Sequence, residues 1–196
     1  MRPVRRRVRQ ARFPVAVATL ALLALVSVAP AAPFAPATVV LLVRHGEKAP
    51  GSGDVPLSAE GEARATALAQ VGRVAGVQVI ITTQFARTRG TAAPLATTLN
   101  LTPDVIAAQS DVRSHAAAIA DAIRQKHAGR TVLVVGHSNT IPPIVAALGG
   151  ERFRDLCDPE YDALFIVVLS DQGPVRTVKS RFGAPTPVGA ECAQMR

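Results

Sequence analysis

The chain has no tryptophan and a single tyrosine, although 48% of its 196 residues are hydrophobic. Part of its apolar content does not belong to the fold. Residues 1–12 hold six arginines and no acid, and residues 13–29 carry no charge at all. The next stretch, PAAPFAPAT, is rich in alanine and proline. A basic start, an apolar run and a zone of small residues, in that order, describe a secretory signal. Ala29-Pro30-Ala31 and Ala35-Pro36-Ala37 both offer a cleavage frame. The run is near the shortest length that spans a bilayer, so retention as a membrane anchor is the alternative. Initiation at a later start would instead leave the domain cytosolic. Residues 1–37 are accordingly read as signal peptide or anchor with a Pro-rich joint, and 38–196 as one domain long enough for a real core.

Other absences narrow the function. The chain has only two cysteines, Cys157 and Cys192, and no Cys-x-x-Cys pair that would suit a metal. In an oxidising compartment they could form one disulfide, tying the C-terminal tail to the body. No His-x-x-x-His or carboxylate pair supports a metal site, and arginines near His45, Glu47 and His137 would repel a divalent ion. No Gly-x-Ser-x-Gly frame surrounds Ser138, which excludes the usual serine nucleophile. The net charge of +8 does not point to nucleic acid. The arginines of residues 1–12 supply most of the excess, and without them 16 basic residues face 14 acidic ones. There is no internal repeat.

What is present alternates. Residues 39–44, 77–81 and 131–136 are apolar runs of the kind buried on both faces of a sheet. Helical patterns follow each: one capped by Ser58, one over 86–99 with Pro94 as an objection to continuity, and one over 141–148 begun by Pro142-Pro143 and ended by Gly149-Gly150. A further helix is expected over 112–127, with His115 and His127 on or near its polar face. Residues 103–110 read as a short strand or irregular chain. Residues 163–170 and 174–180 read as two closing strands about Asp171-Gln172-Gly173. The order predicts an α/β sandwich with a mainly parallel sheet.

In such sheets ligands bind beyond the carboxyl ends of the strands. Arg44-His45-Gly46-Glu47 follows the first strand, Thr83 to Arg89 the second, and Gly136-His137-Ser138-Asn139 the third clear one. Two histidines and at least two arginines are thereby expected to converge. Guanidinium forks match the paired oxygens of a phosphoryl group. A histidine kept neutral by neighbouring cations retains a ring nitrogen with which to attack phosphorus. Ser138 or Asn139 is expected to cap the following helix, with Ser138 also placed to touch phosphate. Arg89 is expected to face solvent or pair with an acid, and Tyr161 to pack in the core or at its rim.

LVRHGE at 42–47, PLSAEGEARA at 56–65, TTQFARTRGTAAPLA at 82–96, VVGHSNT at 134–140 and YDALFIVVL at 161–169 resemble, in order, the histidine phosphatase superfamily. The similar branch includes phosphoglycerate mutases and small phosphohistidine phosphatases. The resemblance implies a three-layer α/β/α sandwich on a six-stranded sheet with one antiparallel strand. It implies His45 as the nucleophile that becomes phosphohistidine, Arg44 and Arg87 as phosphate-gripping residues, His137 as the second pocket histidine, and no metal or other cofactor. The general acid of phosphatase and mutase members lies on an inserted stretch that is short here. Asp111 is the aspartate expected near the pocket, since Asp121 falls mid-helix on a solvent face. Glu47 is the other candidate, unless it orients His45 or Lys48. The long capping loops of mutases are absent, which suits hydrolysis. The implied activity is an exported phosphatase acting on a small-molecule or envelope phosphomonoester. The alternatives are a protein phosphohistidine phosphatase, or a non-catalytic phosphate-binding module of the envelope. Loop 48–56 and residues 103–112 are expected to set specificity.

Overall fold

The computed structural model describes residues 35–187 and Cys192, so the leader reading lies outside the described residues. Six strands form one sheet: β1 (Thr38–Arg44), β2 (Val79–Thr82), β3 (Asp104–Val105), β4 (Thr131–Gly136), β5 (Ala163–Leu169) and β6 (Arg176–Arg181). Their spatial order is β3-β2-β4-β1-β5-β6. β1, β2, β3 and β4 pair in parallel, whereas β5 runs antiparallel to both of its neighbours. Val39–Arg44 pairs residue for residue with Thr131–Gly136, which brings Arg44 level with Gly136.

Four helices cover the sheet: α1 (Ala59–Val74), α2 (Ala86–Leu99), α3 (Val112–Lys126) and α4 (Ile141–Ala147). Alternation along β1 shows how the layers form. Leu41 and Val43 join the core made with Leu68 of α1 and Leu95 of α2. Val40 and Leu42 join the opposite core, with Ile119 and Ile123 of α3 and Ile144 of α4. Successive side chains of a strand point to opposite faces, so a strand between two helical layers must be apolar throughout. β6 is a partly exposed edge strand bearing Arg176, Lys179 and Arg181, charges that discourage pairing with another chain.

Ser58 caps α1 as expected, its hydroxyl accepting from the Gly61 N–H. α2 runs unbroken through Pro94. Its face of Thr88, Thr91, Ala92 and Leu95 is buried against the body, and that packing outweighs one missing backbone bond. The expected cap on α4 is corrected. Thr140, not Ser138 or Asn139, is its N-cap, and the Thr140 Oγ1 accepts from the His137 N–H at 2.9 Å. Cys157 and Cys192 form a disulfide, with Cα atoms 6.1 Å apart.

Candidate active site

Because β1, β2 and β4 are parallel, their carboxyl ends share one edge of the sheet. β5 is antiparallel, so the residues before it, including Tyr161, arrive at the same edge. The four elements bring together Arg44, His45, Arg87, His137 and Tyr161.

His45 continues from β1, its N–H donating to the Gly136 carbonyl at 3.0 Å. Its ring is 4% exposed. Nδ1 lies 2.8 Å from the Gly46 carbonyl oxygen, which can only accept, so Nδ1 carries the proton. Nε2 is left with its lone pair. Burial is the main force holding the imidazole neutral. Arg44, His137 and Arg87 add repulsion, and together these outweigh the Gly46 hydrogen bond and bring the pKa to about 3. The Gly46 N–H in turn donates to Thr91 Oγ1 at 2.8 Å, so α2 helps to hold the loop.

The His137 ring lies edge-on to His45 with centroids 5.4 Å apart. Its Nε2 shares a 3.1 Å hydrogen bond with Thr83 Oγ1, which in turn meets Thr88 Oγ1 at 2.9 Å. Phe85 stands edge-on to the same ring at 5.4 Å. Burial first, then repulsion from Arg87, His115 and Arg44, lowers the His137 pKa to about 4.

Arg44 is 3% exposed. Its Nη1 donates to the carbonyls of Cys157 at 2.9 Å and Asp158 at 2.7 Å, and its guanidinium lies 4.1 Å over the Tyr161 ring. Its buried Nε–H has no partner among the described residues and remains a donor for an oxyanion. Arg87 stacks on Phe85 at 4.3 Å and reaches Asp54 at 3.7 Å. Asp54 also accepts from the Ala86 N–H at the start of α2. Loop 48–56, expected at the rim, thus touches the phosphate-gripping candidate itself. It is closed by a bridge between Lys48 and Leu57.

The two expected acids are engaged elsewhere. Both Glu47 oxygens accept from the Arg64 guanidinium at 2.7–3.0 Å, and Glu47 makes no hydrogen bond to His45 or Lys48. Arg64 also donates to the carbonyls of Phe182 and Ala184, which makes this ion pair a structural tie. Asp111 is the N-cap of α3, accepting from the Arg113 and Ser114 N–H groups and from the Ser114 hydroxyl. The Ser114 hydroxyl and then the backbone donors lower its pKa, so the carboxyl stays ionised. A carboxylate held this way is unsuited to give up a proton.

Ser138 offers its backbone carbonyl to the Leu156 N–H. Arg89 faces solvent, as expected. His115 and His127 correct the polar-face reading, since both are buried. His115 lies at helical spacing with Ile119 and Ile123 and so belongs to the apolar stripe of α3. His127 pairs with Asp104 at 3.1 Å.

Sequence reasoning missed Thr83, Phe85, Asp54 and Arg64 as parts or supports of the site. Tyr161 was legible only as a rim residue. The signal that would have placed it is the antiparallel direction of β5, which carries its start to the edge that bears His45. Among the described residues, no three His, Cys, Asp or Glu side chains gather closely enough to hold a metal ion.

A family model described as histidine phosphatase superfamily (branch 1) matches residues 40–108, the stretch that carries Arg44, His45 and Arg87. No curated protein matches the chain. Among solved structures, one assigned as the phosphohistidine phosphatase SixA from Nakamurella multipartitia aligns at TM-score 0.57 and 22% identity, over 77% of this chain and 99% of that one. A protein histidine phosphatase SixA complexed with tungstate aligns at 0.57 and 21%, over 73% and 96%. A mycobacterial glucosyl-3-phosphoglycerate phosphatase aligns at 0.55 and 16%, over 76% and 100%. At these identities the likeness of structure speaks for the fold.

Proposed function

We propose that this chain, whose residues 40–108 match the model of the histidine phosphatase superfamily (branch 1), is a member of that branch and an exported phosphatase working through phosphohistidine on His45. The observation that carries the reading is the state of His45. One ring nitrogen is tied to Gly46, the other is free, and burial among Arg44, Arg87 and His137 keeps the ring neutral. Nε2 attacks phosphorus in line and the ester oxygen leaves. Arg44, Arg87 and His137 hold the remaining oxygens, over which the transition-state charge is spread. Water then attacks the phosphohistidine, returning neutral His45 and phosphate. Fixed cations supply the electrostatic stabilisation, so the reaction needs no metal. Leader residues 1–37 and the disulfide support export.

The proton for the leaving group comes from water, because Glu47 is bound by Arg64 and Asp111 caps a helix. That favours substrates whose leaving group departs easily. The same observation favours a second reading, hydrolysis of phosphohistidine on a protein, where imidazole is the leaving group.

Hydrolysis of p-nitrophenyl phosphate in EDTA tests the proposal. Turnover is expected, and His45→Ala is expected to lower it by on the order of 1,000-fold or more. Full activity in His45→Ala would sink the mechanism, and loss of wild-type activity in EDTA would sink its metal independence. An alkyl phosphate is expected to react far more slowly than the aryl ester.

A further inference from the structure

Among the described residues, every hydrogen bond made by the Arg44 side chain goes to one short turn, Cys157–Tyr161. We propose that this turn, closed by the Cys157–Cys192 disulfide, is the seat that positions Arg44, so that phosphate affinity depends on that disulfide. The inference rests on the phosphatase reading of the pocket.

A phosphate-gripping arginine has two conflicting needs. Its guanidinium must be fixed, because an arginine free to turn loses much of its value as an oriented donor. It must also stay unneutralised, because a carboxylate partner would compete with the phosphate. Two backbone carbonyls meet both needs. They take Nη1 at 2.9 and 2.7 Å and bring no charge. The Tyr161 ring holds the flat face at 4.1 Å. The Asp158 carboxylate stands only at the edge of hydrogen-bond range, 3.5 Å from Nη2, with its side chain fully in solvent. The backbone conformation at residues 157 and 158, together with the Tyr161 ring, therefore places Arg44.

That backbone is tied down from several sides. The Cys157 carbonyl also accepts from the Glu160 N–H at 2.9 Å. The buried Glu160 carboxylate returns a bond to the Cys157 N–H and takes Arg154 and Lys179 as charge partners. Leu156 N–H donates to the Ser138 carbonyl, which links the turn to the loop carrying His137. The disulfide is the one covalent tie. It fixes the residue whose carbonyl grips Nη1 to a position 35 residues along the chain.

The test compares oxidised full-chain protein, the same protein reduced with dithiothreitol, and Cys192→Ser. Dithiothreitol gives two hydrogens to the two sulfurs, leaves two cysteine thiols and closes into its own cyclic disulfide. The readouts are the Kd for inorganic phosphate and the KM and kcat for p-nitrophenyl phosphate, with free thiols counted by alkylation. Opening the bond is expected to raise Kd and KM by roughly 5–20-fold and, because Arg44 also meets the charge of the transition state, to lower kcat as well. In an Arg44→Ala background reduction is expected to cause no further rise, an outcome that general loosening of the fold would not give. Tyr161→Leu strips the stacking face while keeping the disulfide, and is expected to raise KM in the same direction. If Cys192→Ser does not fold, Tyr161→Leu decides, and an unchanged KM there overturns the inference. Two free thiols with unchanged Kd and KM also overturn it and leave the phosphatase reading standing. Absence of both phosphate binding and turnover in the oxidised protein overturns both.

Discussion

At the scale of the residue, His45 and His137 are bases kept uncharged by their surroundings, and that has a thermodynamic signature. In the unfolded chain both take a proton near pH 6.5, whereas in the folded protein they do so only near 3 and 4. Between those limits the unfolded state binds more protons. Folding stability is therefore complete above pH 6.5 and falls as the pH is lowered through that value. At pH 5 each buried histidine costs about 2 kcal/mol. His115, also lowered mainly by burial, adds a cost of the same sign. The urea midpoint is expected to fall between pH 7 and pH 5, and His45→Gln to make that slope shallower. A midpoint unchanged over the interval would mean that the rings are not held neutral. Activity should follow the opposite logic. Neutral His45 persists well below pH 6.5, so kcat/KM is expected to keep its acid limb near pH 3–4 until unfolding intervenes.

At the scale of the element, the decisive contact is between the start of α1 and the loop after β1. A Cβ placed on Gly61 would collide with the Glu47 carbonyl and come within 3.0 Å of its N–H. A Cβ on Gly46 would meet the Gly61 Cα at 3.0 Å. The two backbones touch because both residues lack side chains, and the Arg64–Glu47 pair one turn further along α1 clamps the same junction. Gly61→Ala is expected to destabilise by about 1–3 kcal/mol, the usual cost of overpacking. It is also expected to lower kcat/KM more than a remote substitution of equal cost, because relief of the clash moves Gly46 and with it His45. Chemical denaturation alongside p-nitrophenyl phosphate kinetics checks both. A stability loss with intact kcat/KM would show that the junction supports the fold but not the site.

At the scale of the whole molecule, the proposed export predicts a processed N-terminus and a closed disulfide. N-terminal sequencing of the protein recovered from its natural host is expected to begin between residues 30 and 38, with Cys157 and Cys192 oxidised. Met1 retained in the membrane fraction would identify an anchor instead of a cleaved signal. Cytosolic protein with both thiols free would overturn export. No helix among the described residues is long and apolar enough to cross a membrane.

The sequence by itself determined the sheet, the helices and the chemistry at the strand ends. Fully apolar strands such as Val39–Val43 admit one environment, between two helical layers, and the polar residues just after them must then gather at one edge. Arg44, His45, Arg87 and His137 were legible for that reason. Only the tertiary structure decided what holds them. Arg44 finds its partners 113 and 114 residues away on backbone carbonyls, which carry no side-chain signature. Glu47 reaches across to Arg64 and Asp111 turns back onto Ser114, so two carboxylates with the composition of catalytic acids became a tie and a cap. Tyr161 entered the site because β5 runs against its neighbours. A local pattern records which face a side chain takes. It does not record which distant backbone oxygen will be waiting there, because that depends on how the closing turn packs against the edge of the sheet.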